Sequence, residues 1–129
     1  MTAAAKMKAE TEAAAPVILC VDDEENLLLL RKMVLAGAGY NVLAASNAAE
    51  ALALFAANPV DLVITDHLMV RESGTQLSRR IKEIRPNVPV AILSGLVDPP
   101  DDMDAADVFI AKTAGPTELL SIVARMLKL

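Results

Sequence analysis

Acidic, hydroxyl and basic side chains stand at the ends of the apolar segments of this 129-residue chain. Asp22 and Asp23 follow the first segment, Asp66 follows the third, the fourth ends in Ser94, and Lys112 follows the fifth. Carboxylates packed together repel one another unless a cation joins them, and oxygen ligands of this kind suit Mg²⁺. Mg²⁺ beside a free carboxylate and an ammonium is an arrangement for phosphoryl transfer, with the carboxylate as nucleophile.

These side chains converge only if the apolar segments are neighbouring strands. Each segment is continuously apolar rather than alternating, which is typical of a strand that is buried on both faces of a parallel sheet. Because ligands of such sheets bind beyond the carboxyl ends of the strands, the side chains named above are in the right place. The five predicted strands are Val17–Val21, Asn41–Ala45, Asp61–Thr65, Pro89–Leu93 and Asp107–Ala111.

Helical patterns separate the predicted strands. The first runs from Glu25 to Ala36 and stops at Gly37, and the last begins at Pro116, a residue that suits the first helical position. The others span 47–58 and 74–85, and each ends before a proline. Strands alternating with helices predict a doubly wound α/β domain with helices on both faces of the sheet.

Composition excludes several classes of function. The net charge of −5 has the wrong sign for binding through phosphate contacts, and 2% aromatic residues with no Trp offer no stacking platform for nucleic acid. No apolar run is long enough to cross a membrane, and no secretory signal precedes the domain, so we expect a cytoplasmic protein. Residues 1–15 are alanine-rich and predict a disordered or helical tail. Cys20 is expected to be a small buried hydrophobe.

The strand-end residues carry a resemblance to a known family. From Val17 to Leu129 the chain resembles the receiver domain of two-component response regulators. The resemblance predicts a receiver domain that spans residues 16–129. Each motif is weak alone, but all of them occur in order and at strand ends. The motifs are the Asp22-Asp23 pair, Asp66 with Met69 and Gly74 after it, Ser94, and Phe109 three residues before Lys112.

The resemblance implies a phosphoacceptor and a metal site. By it, Asp66 accepts a phosphoryl group from the phosphohistidine of a sensor histidine kinase or of a histidine phosphotransfer protein. Asp23, Asp66 and the Leu68 carbonyl bind Mg²⁺, and Asp22 acts mostly through water. The implied fold is flavodoxin-like, a five-stranded parallel sheet of order 2-1-3-4-5.

It also implies a switch. Lys112 pairs with the phosphoryl oxygens, and the Ser94 hydroxyl moves towards them. The rotamer of Phe109 changes with the state of a protein-interaction face. The implied function is a stand-alone signalling module with no output domain, which catalyses only its own phosphorylation and dephosphorylation. Its downstream partner is another protein.

The sequence also departs from the family pattern. Val70 and Thr113 stand where the family usually has proline, after Met69 and after Lys112. A cis peptide bond between Lys112 and Thr113 would cost roughly 2.5–4 kcal/mol, so this bond is free to be trans. The stretch between the fourth and fifth strands is short and contains two prolines at 99–100, which predicts a short or irregular fourth helix.

Two other functions stay open at this point. An aspartyl-phosphate phosphatase or transferase would use a similar sheet, but it needs an acid two residues after the nucleophile, where this chain has Leu68. A degenerate receiver would bind partners without phosphorylation, although the set of acids, hydroxyl and lysine is complete. By the same resemblance, receivers that lose phosphate quickly have polar side chains two residues after the acceptor and two after the hydroxyl residue. Leu68 and Leu96 stand at those positions here and cannot hold a hydrolytic water, so we expect slow self-dephosphorylation.

Overall fold

Five parallel strands form one sheet at the centre of the molecule. The computed structural model describes residues 15–69, 71–95 and 106–128. The strand order is β2-β1-β3-β4-β5, so the predicted doubly wound sheet is confirmed. The strands are β1 (Val17–Val21), β2 (Asn41–Ala45), β3 (Leu62–Asp66), β4 (Val90–Ser94) and β5 (Val108–Ala111).

Four helices pack on the two faces of this sheet within the described ranges. Alternate residues of each strand point to opposite faces, so the continuous apolar runs build two cores. In β1, Ile18 and Cys20 join the core under the first and last helices, whereas Leu19 and Val21 join the core under the other two. The helices are α1 (Glu25–Gly37), α2 (Ala48–Ala57), α3 (Gly74–Ile84) and α4 (Pro116–Met126).

Some strand ends differ by one residue from the prediction. Asp66 is the last residue of β3 rather than the first residue after it, whereas Ser94 ends β4 as predicted; both are buried. Asp66 pairs in register with Leu93, and Ser94 pairs with Ala111. The register therefore sets Asp66, Ser94 and the residue after Ala111 along one edge of the sheet.

Two predictions fall on residues that the structure does not describe. The predicted tail falls almost wholly on residues 1–14, and the prediction of a short or irregular fourth helix falls on residues 96–105. None of the helices in the described ranges combines the length and the apolar character needed to cross a membrane.

Candidate functional site

Asp22 lies in the first turn after β1 and is fully buried. Its backbone N–H donates to the carbonyl of Ala45 over 3.1 Å, which continues the pairing of β1 with β2 by one residue. Its Oδ1 accepts a hydrogen bond of 2.9 Å from the N–H of Glu24. The strand end and the start of α1 thus hold the carboxylate in one place.

Asp66 is held by the approach of α3 to the end of β3. The N–H of Gly74 donates to the carbonyl of His67 over 2.7 Å. A Cβ atom built on Gly74 would lie 2.3 Å from the backbone oxygen of Asp66, closer than atoms can approach without a shift. Only glycine fits there, which explains in physical terms why a glycine follows Asp66 at this distance.

The three carboxylates form one cluster. Asp22, Asp23 and Asp66 each place an oxygen within 4.8 Å of the others, with Asp22 and Asp66 buried and Asp23 exposed. A hard divalent cation that keeps several waters fits such a set, because it needs only one or two direct carboxylate ligands. The cluster predicted from the sequence is therefore assembled by the fold.

Lys112 brings a positive charge to this cluster. Its Nζ lies 2.8 Å from Oδ1 of Asp66, an ion pair in which that oxygen has no well-formed hydrogen bond. Its backbone N–H donates to the carbonyl of Ser94 over 2.8 Å, which ties the lysine to the end of β4. The peptide bond from Lys112 to Thr113 is trans.

The pKa of the Asp66 carboxyl is raised above its ordinary value. Burial is the largest cause, because it disfavours the charged form, and the negative charge of Asp22 acts in the same direction. The contact with Lys112 and the charge of Arg31 lower the pKa, but they do not cancel the rise. The ionised form of Asp66 is therefore disfavoured mainly by its burial, and a bound cation would favour it.

Arg31 is a site residue that the sequence analysis missed. Its Nη1 lies 2.5 Å from Oδ2 of Asp22, and its side chain is largely buried. A signal was available: Arg31 stands three residues after Leu28 and four before Leu35, so it shares the buried stripe of α1 with two leucines. A charged residue in that stripe needs a buried partner.

A second missed feature is the start of α3. Ser73 accepts from the N–H of Gln76 and the Gln76 side chain accepts from the N–H of Ser73, a reciprocal capping box. The helix predicted over 74–85 was given no cap at Ser73. Asn47, the first residue of the helix predicted over 47–58, accepts from the N–H of Glu50 over 2.8 Å and caps α2.

The remaining predicted site residues lie along or near the same edge of the sheet. Ser94 is buried at the end of β4, and Phe109 is half-buried in β5, three residues before Lys112. Leu68 follows Asp66 by two residues, and its side chain is 69% exposed. Cys20 is buried in β1 as expected, and burial raises the pKa of its thiol to about 12.

Comparisons with known proteins agree with this geometry. The family model described as response regulator receiver domain matches residues 18–124. The chain is 42% identical over 81 residues to the autoinducer 1 sensor kinase/phosphatase LuxN of Vibrio harveyi, which covers 63% of this chain and 10% of LuxN. It is 34% identical over 114 residues to the DNA-binding transcriptional regulator NtrC of Rhizobium meliloti, covering 85% of this chain and 24% of NtrC.

A solved structure gives the same fold with a ligand. The response regulator protein TrrA from Thermotoga maritima, in complex with Mg(2+)-BeF, superposes with a TM-score of 0.81 at 31% identity, covering 86% of this chain and 98% of that one. The chain thus spans nearly all of that receiver structure, but about a quarter or less of the two longer relatives.

Proposed function

Because this chain belongs to the response regulator receiver domain family of two-component systems, we propose that Asp66 is its phosphoryl acceptor. One observation carries the proposal. Asp66 is a buried carboxylate at a strand end, inside a cluster of three acids and 2.8 Å from the ammonium of Lys112. Its charge and its position suit attack on phosphorus.

The step exchanges one bond for another. A carboxylate oxygen of Asp66 attacks the phosphorus of a phosphohistidine on a histidine kinase or a histidine phosphotransfer protein. The new phosphorus–oxygen bond forms as the phosphorus–nitrogen bond breaks, and the imidazole keeps that electron pair and takes up a proton. Lys112, already beside Oδ1, is placed to pair with a phosphoryl oxygen that arrives there.

The acidic cluster fits Mg²⁺. We infer that Asp23, Asp66 and the backbone carbonyl of Leu68 hold the ion directly. Asp22 acts through water, since its two oxygens are already engaged by the N–H of Glu24 and by Arg31. When bound, Mg²⁺ supplies positive charge to the phosphoryl oxygens. The raised pKa of Asp66 supports this proposal, because a bound cation would favour the ionised carboxylate that burial disfavours.

The proposed output is a change of a protein-interaction face. Ser94 and Ala111 are register partners, and Phe109 lies in the same strand as Ala111. A phosphoryl group that accepts a hydrogen bond from the Ser94 hydroxyl would move the end of β4 relative to β5. This movement would change the packing around the half-buried side chain of Phe109. We assign this role to the receiver domain at residues 16–129 only.

Phosphorylation is the direct test of Asp66. The protein is incubated with a small phosphodonor and Mg²⁺ and then analysed by intact mass. We expect one added phosphoryl group that is stable in acid and labile in alkali, absent with a chelator and absent in Asp66→Asn. Glu83→Gln, which removes an exposed negative charge from α3, is the matched control and should be phosphorylated normally.

A phosphorylated Asp66→Asn variant would show that another residue is the acceptor. An unmodified wild-type protein would instead support a degenerate receiver that binds its partners without phosphorylation. The identity of the acceptor and the occurrence of phosphorylation itself are therefore tested separately.

We also propose that the phosphorylated state decays slowly. Hydrolysis needs a water held in line behind phosphorus, and Leu68, whose exposed side chain follows the acceptor by two residues, cannot hold one. Leu96, the other position named for this role, lies outside the described residues. Leu68→Asn should speed phosphate loss by several-fold, about 1 kcal/mol of barrier. An unchanged decay rate would remove Leu68 from this role.

A further inference from the structure

Arg31 occupies a position that packing alone would give to an apolar residue. It stands on the stripe of α1 that buries Leu28 and Leu35, and only 13% of its side chain is exposed. A guanidinium remains charged at every physiological pH. A permanent positive charge is therefore built into the wall of the acidic cluster.

The contacts of Asp22 show what this charge does. One carboxylate oxygen accepts from the N–H of Glu24 over 2.9 Å, and the other lies 2.5 Å from Nη1 of Arg31. Both oxygens of this fully buried carboxylate are thus engaged by the protein itself. Asp22 needs no metal to offset its burial, unlike an unpaired buried charge.

We propose that Arg31 is a positioning residue that neutralises Asp22 and thereby sets a weak affinity of the cluster for Mg²⁺. This inference rests on the Mg²⁺ site proposed above. With Arg31 and Lys112 present, two cations face three carboxylates, and a divalent ion enters a site whose negative charge is largely offset. Binding then depends on Asp23 and Asp66, and Asp22 contributes little.

A purely structural ion pair would behave differently. If Arg31 served only to stabilise α1, its replacement would lower stability and leave Mg²⁺ affinity the same or weaker. If Arg31 offsets the charge of the site, its neutral replacement lowers stability without metal but tightens Mg²⁺ binding. The opposite signs of these two effects separate the explanations.

The test compares two neutral replacements on one helix. Arg31→Gln keeps a hydrogen-bond donor but loses the charge at the cluster, whereas Lys32→Gln loses the same charge from an exposed position one residue away. Mg²⁺ dissociation constants are measured by titration calorimetry on metal-free protein, with Mg²⁺-induced shifts of the melting temperature as a second readout. We expect Arg31→Gln to bind Mg²⁺ about tenfold tighter than wild type, and Lys32→Gln to stay within about twofold.

A tightening of less than about threefold relative to Lys32→Gln overturns the proposal. If neither variant nor the wild type binds Mg²⁺, the metal site itself is wrong, which is a different outcome from a wild type that binds and an Arg31→Gln variant that binds no better. The two failures are therefore distinguishable.

A double variant keeps the test decisive if Arg31→Gln does not fold without metal. Arg31→Gln combined with Asp22→Asn removes the buried charge together with its partner and leaves the balance of charge in the site unchanged. We expect its Mg²⁺ affinity to stay within about fivefold of wild type. A loss greater than that would show that Asp22 binds the ion despite Arg31, and it would overturn the proposal.

Discussion

Helices α1 and α3 both reach the acidic cluster, but they do so by different means. α3 begins with its backbone against the end of β3, with no room for a Cβ at Gly74. α1 reaches the cluster through the long side chain of Arg31. The carboxylate of β3 is therefore positioned by backbone contact, and the carboxylate of β1 is paired by a side chain that has several rotatable bonds.

The two helices also differ in how they are anchored. α3 has a capping box at its start, and Arg85 at its end donates to the carbonyl of Phe55 over 2.7 Å and stacks on that ring. α1 buries only Leu28 and Leu35, while its other large apolar side chains are mostly exposed. α3 therefore holds Asp66 rigidly, whereas α1 brings a positive charge to Asp22 on a flexible side chain.

The largest expected effect is at the start of α3. Gly74→Ala forces a Cβ into the backbone oxygen of Asp66, so either the helix or the strand end must move. We expect a loss of about 2–4 kcal/mol in the free energy of unfolding, measured with urea. Gly37→Ala at the end of α1, where a Cβ would meet nothing within 4 Å, is the control and should be close to neutral. Equal losses at the two positions would contradict the comparison.

The next effect concerns the negative charge of the Asp66 carboxylate. The pKa of Asp66 is higher in the folded state than in the unfolded state. The folded protein is therefore destabilised as the pH rises from near 4 through the folded pKa and Asp66 loses its proton. Asp66→Asn should therefore raise the melting temperature of the metal-free protein at neutral pH by roughly 2–6 °C. This gain should shrink as the pH falls towards 3, where wild-type Asp66 is protonated. A variant less stable than wild type at neutral pH would contradict it.

A smaller effect separates the helix caps. Ser73→Ala removes one half of the capping box of α3 and should cost about 1 kcal/mol. Glu24→Ala at the start of α1 removes a hydrogen bond of the same 3.1 Å length to the N–H of Asn26. This bond is made by a longer, exposed side chain that is not a favoured N-cap, so its loss should cost only about 0.3 kcal/mol. Thermal unfolding of the two variants side by side measures the difference. A larger loss of stability in Glu24→Ala than in Ser73→Ala would show that the start of α1 is anchored more firmly than the start of α3.

The smallest effect is expected on the outer face of α1. Leu29 and Met33 are 57% and 63% exposed, so they contribute little burial to the folded state. Leu29→Gln with Met33→Gln should change the free energy of unfolding by no more than about 0.5 kcal/mol. The buried control Leu35→Ala should cost about 2–5 kcal/mol. A large loss from the outer pair would show that this face is packed.

The predictions from sequence succeeded where a pattern is local. Continuous apolar runs located all five strands to within one residue, and Asn47 and Pro116 marked helix starts correctly. The last three strands were predicted to start one residue too early, and the third to end one residue before Asp66, because strand ends depend on which neighbour supplies the last hydrogen bonds. It also missed Ser73 as a cap, although a serine three residues before a glutamine was visible.

By itself the sequence determined the type of sheet, the order of chemical groups along the chain and the edge at which they meet. Runs of apolar residues and helix stops depend on neighbours within a few positions, so they can be read without a structure. Tertiary structure alone decided that Arg31 pairs with Asp22, that Lys112 reaches Asp66, and that the backbone of β3 touches Gly74. Those contacts depend on the rotation of α1 and the register of β5 against β4, which result from packing of the whole domain.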